Sequence, residues 1–242
     1  NIADGVWLIE NTRTDLWVVE RGRGGPFNEQ SRLREEAVDS VAAVPGVEKA
    51  SPFITYSVQR VVGGNSQQFT VIGYDVFGGL GGPGRIVAGR SIRRAHYEIV
   101  VDSKLGLKLN DEVNLGLHDF TVIGLTRDGV DSEGNTNAYL SLPDAQEILY
   151  QQDNEALRAQ REAGRRVLDR AGLGAAQSEA VLPLLSPSTR TISAVLVKLA
   201  PGANPSAVAR HIERWLYFNA YTSPEELDLV LRGRLLKMTQ VL

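Results

Sequence analysis

Apolar positions along the chain follow two periods, and the places where the period changes mark the elements. Over residues 1–11, Ile2, Val6 and Ile9 fall at helical spacing, with Trp7 and Leu8 adjoining. Isolated helices below about 12–15 residues are marginal in water, so this one needs a surface to pack on or a continuation upstream. Asp15-Leu-Trp-Val-Val-Glu20 reads as a strand, and Gly22 to Pro26 as a loop. Ser31 is placed to cap a helix running to Val44, with Leu33, Ala37, Val38 and Val41 on its apolar face. Pro45-Gly46 stops that helix. Val47 to Val62 is extended with a bend near Ser51-Pro52, and Gly63-Gly64-Asn65 turns it into the strand Gln68 to Tyr74. The first block is therefore β-α-β-β.

Gly78 to Gly84 carries five glycines and a proline and reads as a flexible connector and a subdomain boundary. Beyond it, three short strands follow: Tyr97 to Val101, Val113 to Leu117 and Phe120 to Gly124. Asn110-Asp111 makes one corner and His118-Asp119 the next. Strands this short, ending in Gly or Asn-Asp, suit a small curved sheet or barrel. Asn137 to Ser141 is one more strand, and Pro143 opens a helix from Asp144 to about Tyr150. Asp153 to Ala171 is helical in spacing but strongly charged, with Leu157, Val167 and Leu168 its large apolar residues. Gly172 to Ser188 is a second boundary.

The last block returns to β-α-β. Thr191 to Leu199 is a strand, Asn204 caps a helix from Pro205 to Leu216, and Tyr217 to Thr222 is a short strand. Ser223-Pro-Glu-Glu226 reads as a capping box that launches a helix to Leu242, roughly 28 Å long at about 1.5 Å per residue. The fold class expected is α+β. A split β-α-β subdomain (residues 1–77 and 188–242) is interrupted by an inserted β-rich subdomain with a polar helix (residues 78–187), and helices stand at both termini.

Gly89-Arg90, the valine-rich strand Tyr97 to Val101, Lys104-Leu-Gly-Leu107, Asp111-Glu-Val113 and Phe120-Thr-Val-Ile-Gly124 follow one another in an order that resembles the extracytoplasmic core domain of MacB/FtsX-type ABC-transporter permeases. Asp15 to Val19, Val44-Pro-Gly-Val47 and Tyr139-Leu-Ser-Leu-Pro143 extend the resemblance over most of the chain. The polar insert after Gln151 makes it most similar to the DevC-like subset, which works with membrane-fusion proteins. The resemblance implies a porter-like split half and a sabre-like inserted half. It also implies that the first helix extends a preceding transmembrane span and the last leads into the next; the residues alone favour reading both as ordinary docking helices.

Bulk properties narrow the function classes. At 242 residues the chain can bury roughly 70–75% of its unfolded surface, enough for one or two domains. Its net charge of −3 gives no basic stripe and no case for nucleic acid. No apolar run approaches the roughly 18 residues of a membrane span, and no signal-peptide pattern opens the sequence. It begins at Asn1 without an initiator Met, as expected of an excised fragment. The absence of cysteine excludes disulfides, thiolate metal sites and cysteine nucleophiles.

Candidate chemistry is sparse. His96, His118 and His211 lie on separate elements without metal-site spacing, so a zinc or catalytic site requires the fold to gather them. Gly78 to Gly84 and Gly22 to Gly25 lack the Gly-Lys-Ser/Thr ending of a phosphate loop. Asp128, Asp131 and Glu133 do not follow the calcium-loop order. Ser103, Ser141 and Ser186 lack a nucleophile-elbow setting. Phe-Thr-Val-Ile-Gly occurs at residues 69–73 and 120–124, too short for a repeat, and reads as two similar strands whose Gly permits a bend. The charged stretch carries nine charges in eighteen residues from Asp153 to Arg170. It reads as an exposed, self-paired helix or as a contact for a partner protein through Glu155, Arg158, Arg161, Glu162 and Arg165.

The expectation is thus a domain with no enzymatic activity and no cofactor. By resemblance it is the periplasmic domain of an inner-membrane ABC exporter permease, transmitting ATP-driven motion to a periplasmic adaptor. Implied partners are a membrane-fusion or adaptor protein, a separate cytoplasmic ATPase subunit and a second permease copy in a homodimer. The alternative is a soluble module that holds a small molecule or lipid in a cleft between two subdomains.

Overall fold

Two split β-α-β units interleave in the half built from the two ends of the chain. The computed structural model describes residues 9, 12–27, 29–62, 65–127, 135–152 and 190–239. The first elements are β1 (Leu16–Val19), β2 (Leu33–Arg34), α1 (Ala37–Ala42), β3 (Val47–Val62) and β4 (Asn65–Tyr74). A middle group comprises β5 (Ile86–Gly89), β6 (Glu98–Asp102), β7 (Glu112–Leu115), β8 (His118–Thr126), β9 (Thr136–Ser141) and α2 (Leu142–Gln152). The last comprises β10 (Thr191–Ile192), β11 (Ala194–Leu199), α3 (Pro205–Trp215), β12 (Asn219–Thr222) and α4 (Ser223–Thr239).

Both β1 and β3 pair antiparallel with β11 between them, so they are parallel to each other. In the same way β11 and β12 are parallel about β1. The resulting order, β12-β1-β11-β3, is that of a ferredoxin-like sheet, and it gives the split β-α-β arrangement its physical form. Alternation along β1 sorts two cores. Leu16 and Val18 face α1 and α3 with Val41, Val195, Val197, Val208 and Ile212. Trp17 and Val19 face the opposite side with Phe53, Leu196 and Val230.

The sheet does not stop at β4. β9 pairs parallel with it, Phe69 to Tyr74 opposite Thr136 to Ser141, and the order continues β9-β6-β8-β5 with β7 on β8. One ten-stranded sheet therefore passes from the terminal half into the middle of the chain, giving the α+β class. The two Phe-Thr-Val-Ile-Gly strands, β4 and β8, both belong to this sheet with β9 and β6 between them, and their glycines serve close approach. A Cβ on Gly73 would lie 2.3 Å from the Cβ of Ala145 in α2, and one on Gly124 would lie 2.4 Å from the Arg90 carbonyl.

Four local expectations are corrected. No helix starts at Ser31: Leu33-Arg34 pairs with Ile192-Thr191, the Ser31 hydroxyl accepts from the Glu20 amide, and α1 begins at Ala37. A partner strand about 160 residues away overrides local helix propensity. The turn after β7 is at Gly116-Leu117, not His118-Asp119, because Gly116 takes φ +69° and His118 sits opposite Leu115. The strand from Thr191 breaks at Ser193, whose amide donates to Phe53 and whose hydroxyl accepts from the Thr55 amide. Finally, Gly78 to Gly84 is packed down rather than a free connector. Leu80 is buried in the second core, the amides of Gly78 and Gly79 donate to the Asp75 carbonyl, and Lys49 Nζ donates to the Gly78 carbonyl.

Candidate functional site

The segments flanking the sheet meet at one edge. Leu16 of β1 stands opposite Thr222 of β12, so the chain enters β1 beside the point where it leaves β12. The register continues past the strands: the Ser223 amide donates to the Asp15 carbonyl at 3.1 Å, and the Ser223 hydroxyl donates to the Thr14 carbonyl. On the other side of β1, Asp15 accepts from the Leu199 amide at 2.8 Å and pairs with Lys198 Nζ at 3.0 Å. The first turn before β1 is thereby tied both to the last helix and to β11.

Helix α4 begins one residue earlier than the Ser223–Glu226 spacing implies. The capping residue is Thr222: its amide donates to Glu225 Oε2 at 2.8 Å, and the Glu225 amide returns to Thr222 Oγ1 at 3.4 Å. Thr222-Ser-Pro-Glu225 has the same capping spacing as Ser223 to Glu226. The β12 pairing selects between them, since it holds Thr222 extended at the strand end. Shifting the box leaves Glu226 facing inwards.

Glu226 is fully buried, and neither carboxyl oxygen has a hydrogen-bond partner. It lies against Gly25, which has φ +89° and where a Cβ would come within 2.2 Å of both oxygens. Burial pushes the Glu226 carboxyl up to about 8. Further along, Val230 shares the second core with Ile9, Trp17 and Val19, so the segment before β1 and helix α4 pack on one face of the sheet.

Other candidate residues sit elsewhere. Two of the three histidines do come together, flanking Tyr97: His96 pairs with Asp144 at 2.7 Å, and His118 with Glu147 at 3.1 Å. The Tyr97 ring lies 5.0 Å from His118 and 5.7 Å from His96. His211 is separate, on α3 beside Trp215. Among the described residues no group of three or more metal-binding side chains forms. Ser141 donates to the Ala95 carbonyl and accepts from the Asp144 amide, a capping role, while Ser103 opens a short 3-10 turn. Glu98 organises the loop before β6 by accepting from the Arg90 guanidinium at 2.6 Å and from the amides of Arg93 and Arg94. These bonds, the Arg90 pair foremost, hold its carboxyl down to about 2.

A parallel ladder joins β4 of the terminal half to β9 of the inserted half. Ser186, the acidic residues Asp128, Asp131 and Glu133, and the charged stretch with Glu155, Arg158, Arg161, Glu162 and Arg165 lie outside the described residues. Sequence reading missed the junction itself, although the Thr-x-x-Glu spacing at residues 222–225 was available as its signal. Among the described residues no helix is long and apolar enough to cross a membrane.

Comparison with known proteins bears on this arrangement. A family model described as a MacB-like periplasmic core domain matches residues 6–215. An uncharacterized ABC transporter permease of Mycobacterium tuberculosis H37Rv is 27% identical over 144 residues, which are 59% of this chain and 40% of the relative. A similarly named protein of Mycobacterium bovis is 26% identical over the same shares. The match thus spans about two fifths of the length of these curated relatives. The periplasmic region of MacB from Actinobacillus actinomycetemcomitans superposes with a TM-score of 0.52 at 15% identity, over 89% of this chain and 92% of that one, a likeness of fold.

Proposed function

Because the chain belongs to the MacB-like periplasmic core domain family, we propose that it is the periplasmic domain of an ABC exporter permease and relays ATP-driven motion from the membrane to a periplasmic adaptor protein. The observation that carries this reading is the junction: the segment before β1 and helix α4 are hydrogen-bonded to each other at Thr14, Asp15 and Ser223 and share the core around Val230. A displacement applied to either segment reaches the other, and through β1 and β12 it reaches the sheet. The ten-stranded sheet then carries it as a stiff plate, since packed elements move as units rather than deforming continuously.

In this reading ATP is hydrolysed by a separate cytoplasmic subunit, two permease copies form a homodimer, and the domain itself makes or breaks no covalent bond. Residues 1–77 with 188–242 form the porter-like part tied to the membrane, and residues 78–187 the sabre-like part. Glu155, Arg158, Arg161, Glu162 and Arg165 are the adaptor contact, and with the rest of the insert they are the feature that favours a DevC-like permease. Motion is useful only if the adaptor binds the two states of the dimer differently.

The test uses the full-length permease with its ATPase subunit in nanodiscs, spin-labelled at Val61, which is 71% exposed at the tip of the β3–β4 hairpin. The inter-copy distance between labels is expected to change on turnover, and the adaptor to co-purify. An unchanged distance during normal ATP hydrolysis, or a complex that assembles without any adaptor, would overturn the reading.

A further inference from the structure

An open groove of about 750 Å³ runs beside α3, and its lining includes Arg21, Arg210, Glu213, Arg214 and Trp215. The helix makes it by arithmetic. Val208, Ala209 and Ile212 are buried on the inner face, which turns the i,i+4 pairs Arg210/Arg214 and His211/Trp215 outwards. Arg21 arrives from just beyond β1, where Val19 stands opposite Asn219. It donates to the Glu213 carbonyl at 3.4 Å, and its guanidinium lies 4.5 Å from the centre of the Tyr217 ring. Tyr217 holds φ +64°, a conformation that costs a non-glycine residue energy and that keeps its ring beside this arginine.

Two features of the groove are unusual for free surface. Trp215 and Tyr217 are 69% and 70% exposed, two residues apart where α3 ends, and Arg21, which lies over the Tyr217 ring, lines the groove together with Trp215. Beside them, neither Arg210 nor Arg214 pairs with a carboxylate among the described residues. Glu213, the carboxylate in the lining, is instead turned to the Ala220 amide. In a chain of net charge −3 this is a concentrated positive spot with aromatic anchors, and Arg, Trp and Tyr are the residues that dominate binding hot spots.

We propose that this groove binds an acidic, extended segment of a partner protein. Its carboxylates pair with Arg21, Arg210 and Arg214, and an apolar or aromatic side chain lies on Trp215 and Tyr217. Three arginines suit a short run of carboxylates rather than the long phosphate register of a nucleic acid. The concave shape and the lining Glu213 disfavour a flat anionic membrane. The proposal goes beyond the mechanical reading and stands without it, because a peptide can occupy the groove whether or not the domain relays motion.

The test is fluorescence anisotropy of the 242-residue chain with a short fluorescein-labelled peptide of Asp and Glu residues around one Phe. The double variant Arg210→Glu/Arg214→Glu is expected to bind at least about tenfold more weakly, and Trp215→Ala by a similar factor. The double Arg→Lys variant should keep part of the affinity. Reversing charges outside the groove, at Arg34 and Arg85, should change binding less than about twofold, with circular dichroism showing each variant folded. The proposal fails if the wild type does not bind the peptide, or if the outside reversals weaken binding as much as the groove reversals. It fails equally if phosphatidylserine vesicles are held through these arginines while the peptide is not.

Discussion

The hydroxyl of Ser223 donates to the carbonyl of Thr14, across 209 positions of sequence, at the edge where β1 and β12 pair. The neighbouring amide of Ser223 reaches the Asp15 carbonyl, so the antiparallel backbone bonding runs one residue past the end of each strand. Each of these bonds is worth only about 0.5–1.5 kcal/mol. Together they fix the relative rotation of the segment before β1 and the first turn of α4. In the proposed relay, a force arriving on one segment alone would be shared through these bonds before it reached the sheet.

Because the cap is Thr222 and not Ser223, replacing the two should cost stability by different routes. Thr222→Ala removes the capping oxygen of α4 and is expected to lower stability by about 1 kcal/mol. Ser223→Ala leaves the cap intact and removes only the bond to Thr14. It should therefore raise amide exchange in the segment before β1 while leaving the first turn of α4 protected. Urea midpoints at constant slope, combined with hydrogen exchange, separate the two.

Glu98 supplies an acid-sensitive element. Its carboxyl is held down to about 2 by the Arg90 guanidinium and two backbone amides, against an ordinary value of 4.5. Depression of a folded-state carboxylate adds stability that is complete above pH 4.5 and is lost as the pH falls towards 2. Urea titrations between these limits should show that loss. In Glu98→Gln the stability at pH 7 should be lower and this part of the acid limb shallower.

Gly73 marks a close approach of α2 to the sheet. An added methyl would sit 2.3 Å from Ala145 Cβ and 2.4 Å from Ile54 Cγ2, so Gly73→Ala should cost about 1–3 kcal/mol. Combining it with Ala145→Gly should return part of that loss in a double-mutant cycle. Purely additive costs would show that the strand, not the helix contact, sets the requirement.

The fold was legible where periodicity and local chemistry agree. The four-residue run Leu16 to Val19, the Asn204 cap and the long Val47 to Val62 strand all stand as their patterns imply. What periodicity cannot carry is pairing across the chain. Leu33-Arg34 looks helical until Thr191-Ile192 is brought alongside it, and nothing local shows that β9 joins β4 in parallel. Of the candidate site, the capping spacing was visible but ambiguous by one residue, and the tie-breaker was again a partner strand. The histidines illustrate the same limit, since only the fold draws His96 and His118 to either side of Tyr97.

Glu226 gives the junction a pH response of opposite sign to that of Glu98. The one-residue shift of the capping box buries its carboxyl against Gly25 with neither oxygen bonded, and burial pushes it up to about 8 from 4.5. Between those values the folded state keeps a proton that the unfolded state releases. Stability from this group therefore falls as pH rises from 4.5 to 8, by at most about 1.4 kcal/mol per pH unit, and levels off above 8. Glu226→Gln cannot ionise, so this downward slope should vanish even though the buried amide brings its own desolvation cost. The slope rather than the absolute stability is thus the quantity to measure, by urea unfolding at steps from pH 5 to 9. A wild-type chain whose slope matches that of Glu226→Gln would mean that the carboxyl reaches solvent, and that Gly25 and Glu226 do not seal the start of α4.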